Sequence, residues 1–73
     1  MTELGLLLSR KSVNRSDVSR KTRVSKTRLT ELSNNKNTKL RVDELYLIAL
    51  AIDVEPAEVI NEICKELTLV NEN

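Results

Sequence analysis

The residues of this sequence whose type and spacing suggest a function are the lysines and arginines. Eleven lysines and arginines lie in residues 10–41, where the only acids are Asp17 and Glu31, so this part carries a net charge of +9. Residues 42–73 contain one base, Lys65, and eight acids, a net charge of −7. An ordinary solvated surface would explain the number of charges but not their segregation. The basic part is predicted to face a polyanion and the acidic part to do something else.

Other kinds of functional site are not indicated. The chain has no histidine, one glycine and one cysteine, so it lacks a glycine-rich phosphate loop and a cluster of metal ligands. We therefore expect no enzyme, no metal and no cofactor. Cys64 is expected to be a buried or half-buried apolar residue; a redox-sensitive bridge between two copies is the alternative.

The expected compartment follows from the number of cysteines and the length of the apolar runs. A single cysteine cannot form an intramolecular disulfide and suits a reducing compartment. No run is long enough to span a bilayer, and the N-terminus lacks the pattern of a secretory signal. A cytoplasmic protein without membrane contact is expected.

The elements that must position the basic residues are predicted to be helices, because leucine, lysine, arginine and glutamate dominate and turn residues are few. Five are expected, at about residues 3–11, 15–21, 26–33, 42–52 and 56–67. They form one domain, residues 1–67, followed by a short tail, residues 68–73.

Local signals support several of these helix ends. Thr2, Asn14 and Ser25 are suited to capping the first three helices, and Pro56 is a favoured first helical residue. Asparagines 34 and 35 are residue types that tolerate the left-handed conformation at the end of the third helix.

The fourth helix is apolar on nearly every side, so we expect its neighbours to cover it. Tyr46 is expected to pack in the core with its hydroxyl at the surface.

The second and third helices have the spacing of a helix-turn-helix. Val18, Val24, Leu29 and Leu32 are apolar and Ser19 is small. A small side chain is needed where two helices cross steeply over a short turn, because a large one would hold them apart. The apolar positions would anchor both helices and leave one flank of the third helix free.

At these residues the sequence resembles the Cro and lambda-repressor-like helix-turn-helix proteins, the XRE family, over about residues 6–59. The best-matching stretches are DVSRKT (17–22), VSKTRL (24–29) and LIALAIDV (47–54). The resemblance implies an all-α, compact five-helix lambda-repressor-like DNA-binding domain with the motif as helices 2 and 3.

Three residues depart from the family pattern. Arg23 stands where glycine is usual in the turn, Ser19 where alanine is usual, and Asn35 near the usual glycine after the third helix. Arg23 is expected to adopt the left-handed conformation at a cost of about 1 kcal/mol, unless the turn differs slightly.

The resemblance implies that the third helix enters the major groove of DNA and reads base edges. The implied base-reading residues are Arg15, Lys26, Thr27 and Thr30. Lys26 can donate to guanine O6 and N7, and Thr27 can bond a base or place its methyl against thymine. Arg15 either donates to guanine or holds a phosphate. Relatives often carry glutamine at the positions of Arg15 and Lys26, so we predict guanine contacts where such relatives would prefer adenine.

Backbone phosphates are expected to be bound by groups around the motif. These are Asn14, Ser16, Ser25, Arg28, Lys36, Asn37 and Lys39. Glu31 either accepts from cytosine or pairs with Arg28 or Lys26 on its own helix, and the pair is the favoured interpretation.

The predicted function is sequence-specific double-stranded DNA binding by a transcriptional regulator, a repressor acting on a palindromic or pseudo-palindromic operator. A homodimer is expected because such proteins place two reading helices one DNA turn apart. The acidic part is predicted to supply the dimer contact, through Ile63, Leu67 and Val70. The alternative is an antitoxin that binds a toxin protein and autoregulates its operon, with the C-terminal tail as the candidate toxin-binding segment.

Overall fold

Five α-helices make up the fold. The computed structural model describes residues 1–70. The helices are α1 (Glu3–Arg10), α2 (Arg15–Thr22), α3 (Lys26–Asn34), α4 (Val42–Ala51) and α5 (Pro56–Ile63). No strand occurs among the described residues, and the predicted all-α, five-helix architecture is confirmed. The last three residues of the predicted tail lie outside the described part.

The helices pack around a single apolar core. α1 packs on α3 and α5, α2 packs on α3 and α4, and α4 also packs on α5. Every helix contributes a buried apolar face, as the helical spacing of these residues requires. The buried apolar residues are Leu4, Leu7, Leu8, Val18, Val24, Leu29, Leu32, Ile48, Ala49, Ile52, Val54 and Val59. No helix among residues 1–70 is long and apolar enough to cross a membrane.

The predicted N-terminal caps are confirmed. The Thr2 hydroxyl accepts a hydrogen bond from the backbone N–H of Gly5 at 3.0 Å, and Asn14 Oδ1 accepts from Ser16 at 2.8 Å. Ser25 Oγ accepts from Arg28 at 3.1 Å. Each cap satisfies a backbone donor that the helix itself leaves without a partner, so the starts of α1, α2 and α3 are fixed locally.

The end of α3 is built differently from the expectation. Asn35 has φ −110° and ψ 109°, an extended conformation, so the prediction of a left-handed residue there is wrong. Its side-chain oxygen instead accepts from the backbone N–H of Asn37 at 2.9 Å. This local bond turns the chain without the left-handed geometry, which is the alternative that asparagine offers the backbone.

The first turn of α1 also closes the C-terminal end of α3. The backbone N–H of Thr2 donates to the carbonyl of Ser33 at 2.8 Å, and its hydroxyl donates to the carbonyl of Leu32 at 2.6 Å. Gly5 lies at this crossing, where a Cβ would collide with the Ser33 carbonyl oxygen and the Met1 side chain. The only glycine of the chain therefore permits the close approach of the two helices.

α4 is less covered than its sequence predicts. It packs on α2 and α5, so a third side faces solvent. Tyr46 is 53% exposed, and the expectation that it packs in the core is wrong. Val42, Leu47 and Leu50 are exposed on the same helix. Five short helices do not provide enough neighbours to surround one of them.

α5 ends at Ile63, four residues before the predicted end. The residues that follow form a turn, with the backbone N–H of Leu67 donating to the carbonyl of Cys64 at 2.9 Å. Leu67 is 75% exposed. Helices of this length are stable only through packing, and the large apolar residues beyond Ile63, which are Leu67, Leu69 and Val70, are exposed. Cys64 is half-buried, as expected.

Candidate nucleic-acid interface

The turn between α2 and α3 has the predicted left-handed residue. Arg23 has φ 65° and ψ 11°, and its backbone N–H donates to the carbonyl of Ser19 at 2.8 Å. The buried hydroxyl of Thr22 donates to the carbonyl of Val18 at 2.6 Å and accepts from the N–H of Val24 at 3.1 Å. The Thr22 hydroxyl thus bonds a backbone group on each side of the turn, a role that was not predicted from the sequence. An ST-type turn is the signal that could have revealed it.

α3 separates a buried face from an exposed one. Leu29 is fully buried, and Leu32 and Ser33 are also buried. The exposed side carries Lys26, Thr27 and Thr30. Lys26 and Thr30 are four residues apart and Thr27 and Thr30 are three apart, so all three lie on one flank of the helix.

The beginning of α2 contributes further polar groups. Asn14 and Ser16 are exposed at the capped end of the helix, while Arg15 is half-buried. Arg15 lines a groove with residues from the end of α1, including Leu8 and Ser9. The aliphatic part of such a side chain can lie on apolar surface while its guanidinium reaches outward.

Arg28 is committed to a bidentate ion pair that sequence analysis did not find. Its Nε lies 2.9 Å from Glu44 Oε2, and a terminal nitrogen donates to Glu44 Oε1 at 2.9 Å and to the carbonyl of Lys39 at 2.8 Å. Glu31 forms no ion pair with Arg28 or with Lys26 among the described residues, so the favoured pair within α3 is wrong. Glu44 lies sixteen residues away on α4, so no local spacing signals the contact.

The pair sits at the N-terminus of α4, where it is partly shielded from water. Glu44 Oε1 also accepts from the backbone N–H of Arg41 at 3.0 Å, as in a capping box. The hydrogen bond from Arg28, with the N–H of Arg41 as a smaller contribution, lowers the pKa of Glu44 despite its burial. The same hydrogen bond raises the pKa of Arg28. Arg28 thereby joins α3, α4 and the loop between them.

The loop between α3 and α4 presents exposed polar groups. Lys36, Asn37 and Lys39 are all exposed. The backbone is ordered by the bond from Asn37 to the Asn35 side chain and by a bond from the N–H of Thr38 to the carbonyl of Asn35 at 3.1 Å. The two lysines are thus held on a defined loop beside the end of α3.

Three further basic residues in residues 10–41 are paired with acids, and one of them is Arg41, which lies 3.2 Å from Asp43. Arg20 pairs with Asp17 at 2.8 Å within α2, and the hydrogen bond lowers the pKa of that exposed carboxyl. Arg10 lies 3.3 Å from Glu62 of α5. These arginines are less available to an anionic ligand than Lys26, Lys36 and Lys39, which have no ion pair among the described residues.

The C-terminal part places the predicted dimer residues in different surroundings. Ile63 is half-buried and packs against the core, whereas Leu67 and Val70 are exposed on the segment after α5. Lys65 lies 3.2 Å from Glu3, a hydrogen bond that raises its pKa and ties this segment to α1. The three residues do not share a helical face, because the helix has ended.

Comparison with known families gives a match over most of the chain. The family model of the Cro/C1-type HTH DNA-binding domain covers residues 3–65. This range includes all five helices and the loop between α3 and α4. No curated protein and no solved structure gives a significant match to the chain. Domains of the matched type are typically without enzymatic activity.

Proposed function

Because the chain belongs to the Cro/C1-type helix-turn-helix DNA-binding domains, we propose that it is a transcriptional repressor that reads an operator with α3 in the major groove. This proposal rests on the division of α3 into a buried side and an exposed side. Leu29 and Leu32 hold one side in the core, and Lys26, Thr27 and Thr30 stand exposed on the other. A helix anchored in this way presents a fixed row of donors and methyl groups to base edges.

The base contacts are proposed for the N-terminal half of α3. Lys26 is exposed in its first turn and donates to the O6 and N7 acceptors of guanine. Thr27 contacts a base by its hydroxyl or the thymine methyl, and Thr30 reaches the next position along the groove. Arg15 reaches the same groove from the start of α2.

The phosphate contacts are proposed on both sides of this row. Asn14, Ser16 and Ser25 surround the capped starts of α2 and α3, where backbone N–H groups also attract anions. Lys36, Asn37 and Lys39 extend the surface along the loop. Arg28 remains a predicted phosphate ligand, but its bidentate pair with Glu44 competes with that role and favours a positioning role instead.

We also propose that the protein binds as a homodimer on an operator with two-fold symmetry. Two copies related by such an axis present two α3 helices to successive turns of one DNA face. The predicted contact residues are Ile63, Leu67 and Val70. Repression needs no further surface, because a bound dimer excludes other proteins from the DNA it covers.

An antitoxin that binds a toxin protein is the second candidate. It is favoured by the segment after α5, where Leu69 and Val70 are 96% and 85% exposed. Such apolar side chains outside the folded body suit a protein partner. A small toxin-like reading frame beside the gene, and a stable complex of the two products, would favour this candidate over a repressor alone.

Selection of bound sites from random DNA tests the proposed reading surface. The wild-type protein should select a two-fold symmetric site with guanine in each half-site. Lys26→Ala should weaken binding by about 5- to 150-fold for each half-site, corresponding to about 1–3 kcal/mol, and relax the preference at one position of each half-site. Lys36→Ala is the matched control, since loss of a phosphate contact weakens binding to all sequences alike.

The selection profile distinguishes the two roles of a lysine. If Lys26→Ala lowers affinity uniformly and leaves every base preference intact, Lys26 binds a phosphate. The proposed set of base-reading residues is then wrong.

A further inference from the structure

The loop between α3 and α4 is anchored differently at its two ends. At its start, Asn35 accepts hydrogen bonds from the backbone N–H groups of Asn37 and Thr38, at 2.9 Å and 3.1 Å. At its end, the carbonyl of Lys39 accepts a hydrogen bond at 2.8 Å from the side chain of Arg28, which belongs to α3. The end of the loop is therefore held by α3 and not by the loop itself.

Glu44 holds the guanidinium of Arg28 in position for this bond. Its Oε2 lies 2.9 Å from Arg28 Nε, and its Oε1 lies 2.9 Å from the same terminal nitrogen that donates to Lys39. A guanidinium is planar with donors in fixed directions, so two bonds to one carboxylate determine where the remaining N–H points. The Glu44 side chain is 12% exposed, so water competes little for these bonds.

The same carboxylate also holds the backbone just before α4. Glu44 Oε1 accepts a hydrogen bond from the N–H of Arg41 at 3.0 Å. Leu40 lies between the two bonded backbone groups and packs against the core. This packing sets the depth of the chain, whereas the bonds set the orientation of the peptide groups on both sides of Leu40. The direction in which Lys39 leaves the loop therefore depends on Glu44.

We propose that Glu44 is a positioning residue for DNA binding, which orients the end of the loop through Arg28 so that Lys39 reaches a backbone phosphate. Lys39 is exposed and has no ion pair among the described residues. Glu44 acts through Arg28 and not by contact with DNA. The inference rests on the proposed function and adds to it a residue of the acidic part of the chain.

The effect of Glu44 on DNA binding should be opposite in sign to the effect of its charge. Glu44→Gln removes a negative charge, and long-range attraction alone would then strengthen binding to a polyanion. Loss of the position of Lys39 should instead weaken binding. Asp43→Asn is the matched control, because it makes the same change in net charge at the neighbouring exposed residue. This control should bind DNA at least as tightly as the wild type.

The salt dependence of binding to a labelled duplex of random sequence measures the lost phosphate contact. Glu44→Gln should reduce the slope of log K against log salt by about 0.9 for each protomer. Between roughly 50 and 200 mM salt, its affinity should then fall about 3.5-fold less for each protomer. Arg28→Lys keeps the charge but cannot form all three bonds at once, so it should reduce the slope equally. Circular dichroism checks that both variants are folded under these conditions.

Double variants separate the positioning of Lys39 from a general weakening of the domain. In the Lys39→Gln background, Glu44→Gln should not reduce the slope further, because the contact is already lost. In the Lys36→Gln background the two reductions should add to about 1.8 for each protomer, since Asn35 holds that part of the loop. A domain that was only less stable would not distinguish the two lysines.

Two results of these titrations would overturn the proposal. Tighter binding with a steeper slope in Glu44→Gln would show that Glu44 restrains Arg28 from binding a phosphate itself. Equal effects of Glu44→Gln in the two lysine backgrounds would show that its effect does not pass through Lys39.

A measurement without DNA tests the positioning step by itself. The backbone N–H of Leu40 belongs to the peptide group whose carbonyl Arg28 holds. Its ¹⁵N order parameter should fall in Glu44→Gln from about 0.85, the value of rigid backbone, towards 0.6, while that of Asn37 should stay the same. An unchanged order parameter at Leu40 would show that its packing alone holds the loop, and would contradict the role of Glu44.

The failure of this inference is distinguishable from the failure of the proposed function. A wild-type chain that selects a DNA site, with a salt slope that Glu44→Gln leaves unchanged, overturns the positioning role alone. A chain that binds duplex DNA without base preference, but shows the expected changes in slope, supports the positioning role and contradicts the proposed reading surface.

Discussion

Arg23 holds the turn of the helix-turn-helix in a conformation that a residue with a side chain adopts at a cost. Its φ of 65° lies in the left-handed region, where Cβ approaches the following carbonyl oxygen. The turn tolerates this cost because its backbone groups are bonded: the N–H of Arg23 to Ser19 and the N–H of Val24 to Thr22. The side chain itself is exposed and is not needed for the fold.

At position 23, glycine should therefore be more stabilising than alanine, which is the reverse of their usual order in a helix. We expect Arg23→Gly to be more stable than Arg23→Ala by about 1 kcal/mol, because only glycine relieves the left-handed strain. At the exposed helical position Lys21 the order should be the opposite, with alanine more stable by about 1 kcal/mol. Urea unfolding of the four variants measures both differences. Equal stability of the two variants at position 23 would show that the turn relaxes around alanine.

The ion pair between α3 and α4 is the main polar connection between elements of this fold. Arg28 contacts Glu44 through two nitrogen atoms and the carbonyl of Lys39 through one of them. α3 is thereby fixed relative to α4 and to the loop that carries Lys36 and Lys39. Removing one partner leaves the other partly buried without its bonds, which is more costly than losing a surface pair.

The stability of the domain should fall in acid through Glu44. Its pKa in the folded chain is lowered by Arg28, below the ordinary value of 4.5. A lowered pKa means that the contribution of the ionised carboxyl is complete above the unfolded value and is lost as the pH falls through the folded value. Glu44→Gln should be less stable than wild type at pH 7, and the difference should shrink towards pH 3.

Urea unfolding between pH 7 and pH 3 measures this dependence. Asp43→Asn is the matched control, since Asp43 pairs with Arg41 at an exposed site and should change the curve little. A constant difference between wild type and Glu44→Gln over the whole range would contradict the assignment to this carboxyl.

Local elements of the structure could be predicted from the sequence, and contacts between elements could not. The caps at Thr2, Asn14 and Ser25 depend on residues two or three positions away, so their pattern is visible in the sequence. The pair of Arg28 with Glu44 depends on which helices stand together. The role of Gly5 depends in the same way on the crossing of α1 and α3.

The exposure of one side of α4 could not be predicted for the same reason. Apolar periodicity shows that a helix can be buried, but the number of neighbours decides whether it is. The end of α5 at Ile63 was missed for this reason too, because the apolar pattern continues to Leu67 after the packing partners end.

At the scale of the whole molecule, the charges divide the chain into a basic part and an acidic part. The net charge of +1 conceals +9 in residues 10–41 and −7 in residues 42–73. Arg10 and Glu62, which pair at 3.3 Å, lie where the two parts meet. The division directs the basic surface towards a polyanion and keeps the acidic surface away from it. The position of a charge should therefore affect DNA binding more than the net charge of the protein does.

Two double variants with the same change in net charge test this conclusion. Lys36→Gln with Lys39→Gln removes two charges from the proposed DNA surface, and Asn61→Asp with Thr68→Asp lowers the net charge equally at exposed positions of the acidic part. Each lost phosphate contact should reduce the slope of log K against log salt by about 0.9, so the slope of the lysine variant should be smaller by about 1.8 for each protomer, or about 3.6 for the proposed dimer. The aspartate variant should change the slope much less than the lysine variant does, because it alters only the long-range field and removes no phosphate contact. Fluorescence anisotropy of a labelled operator between roughly 50 and 200 mM salt measures both slopes. If the two variants changed the slope equally, net charge alone would govern binding, and the segregation of charge would have no part in it.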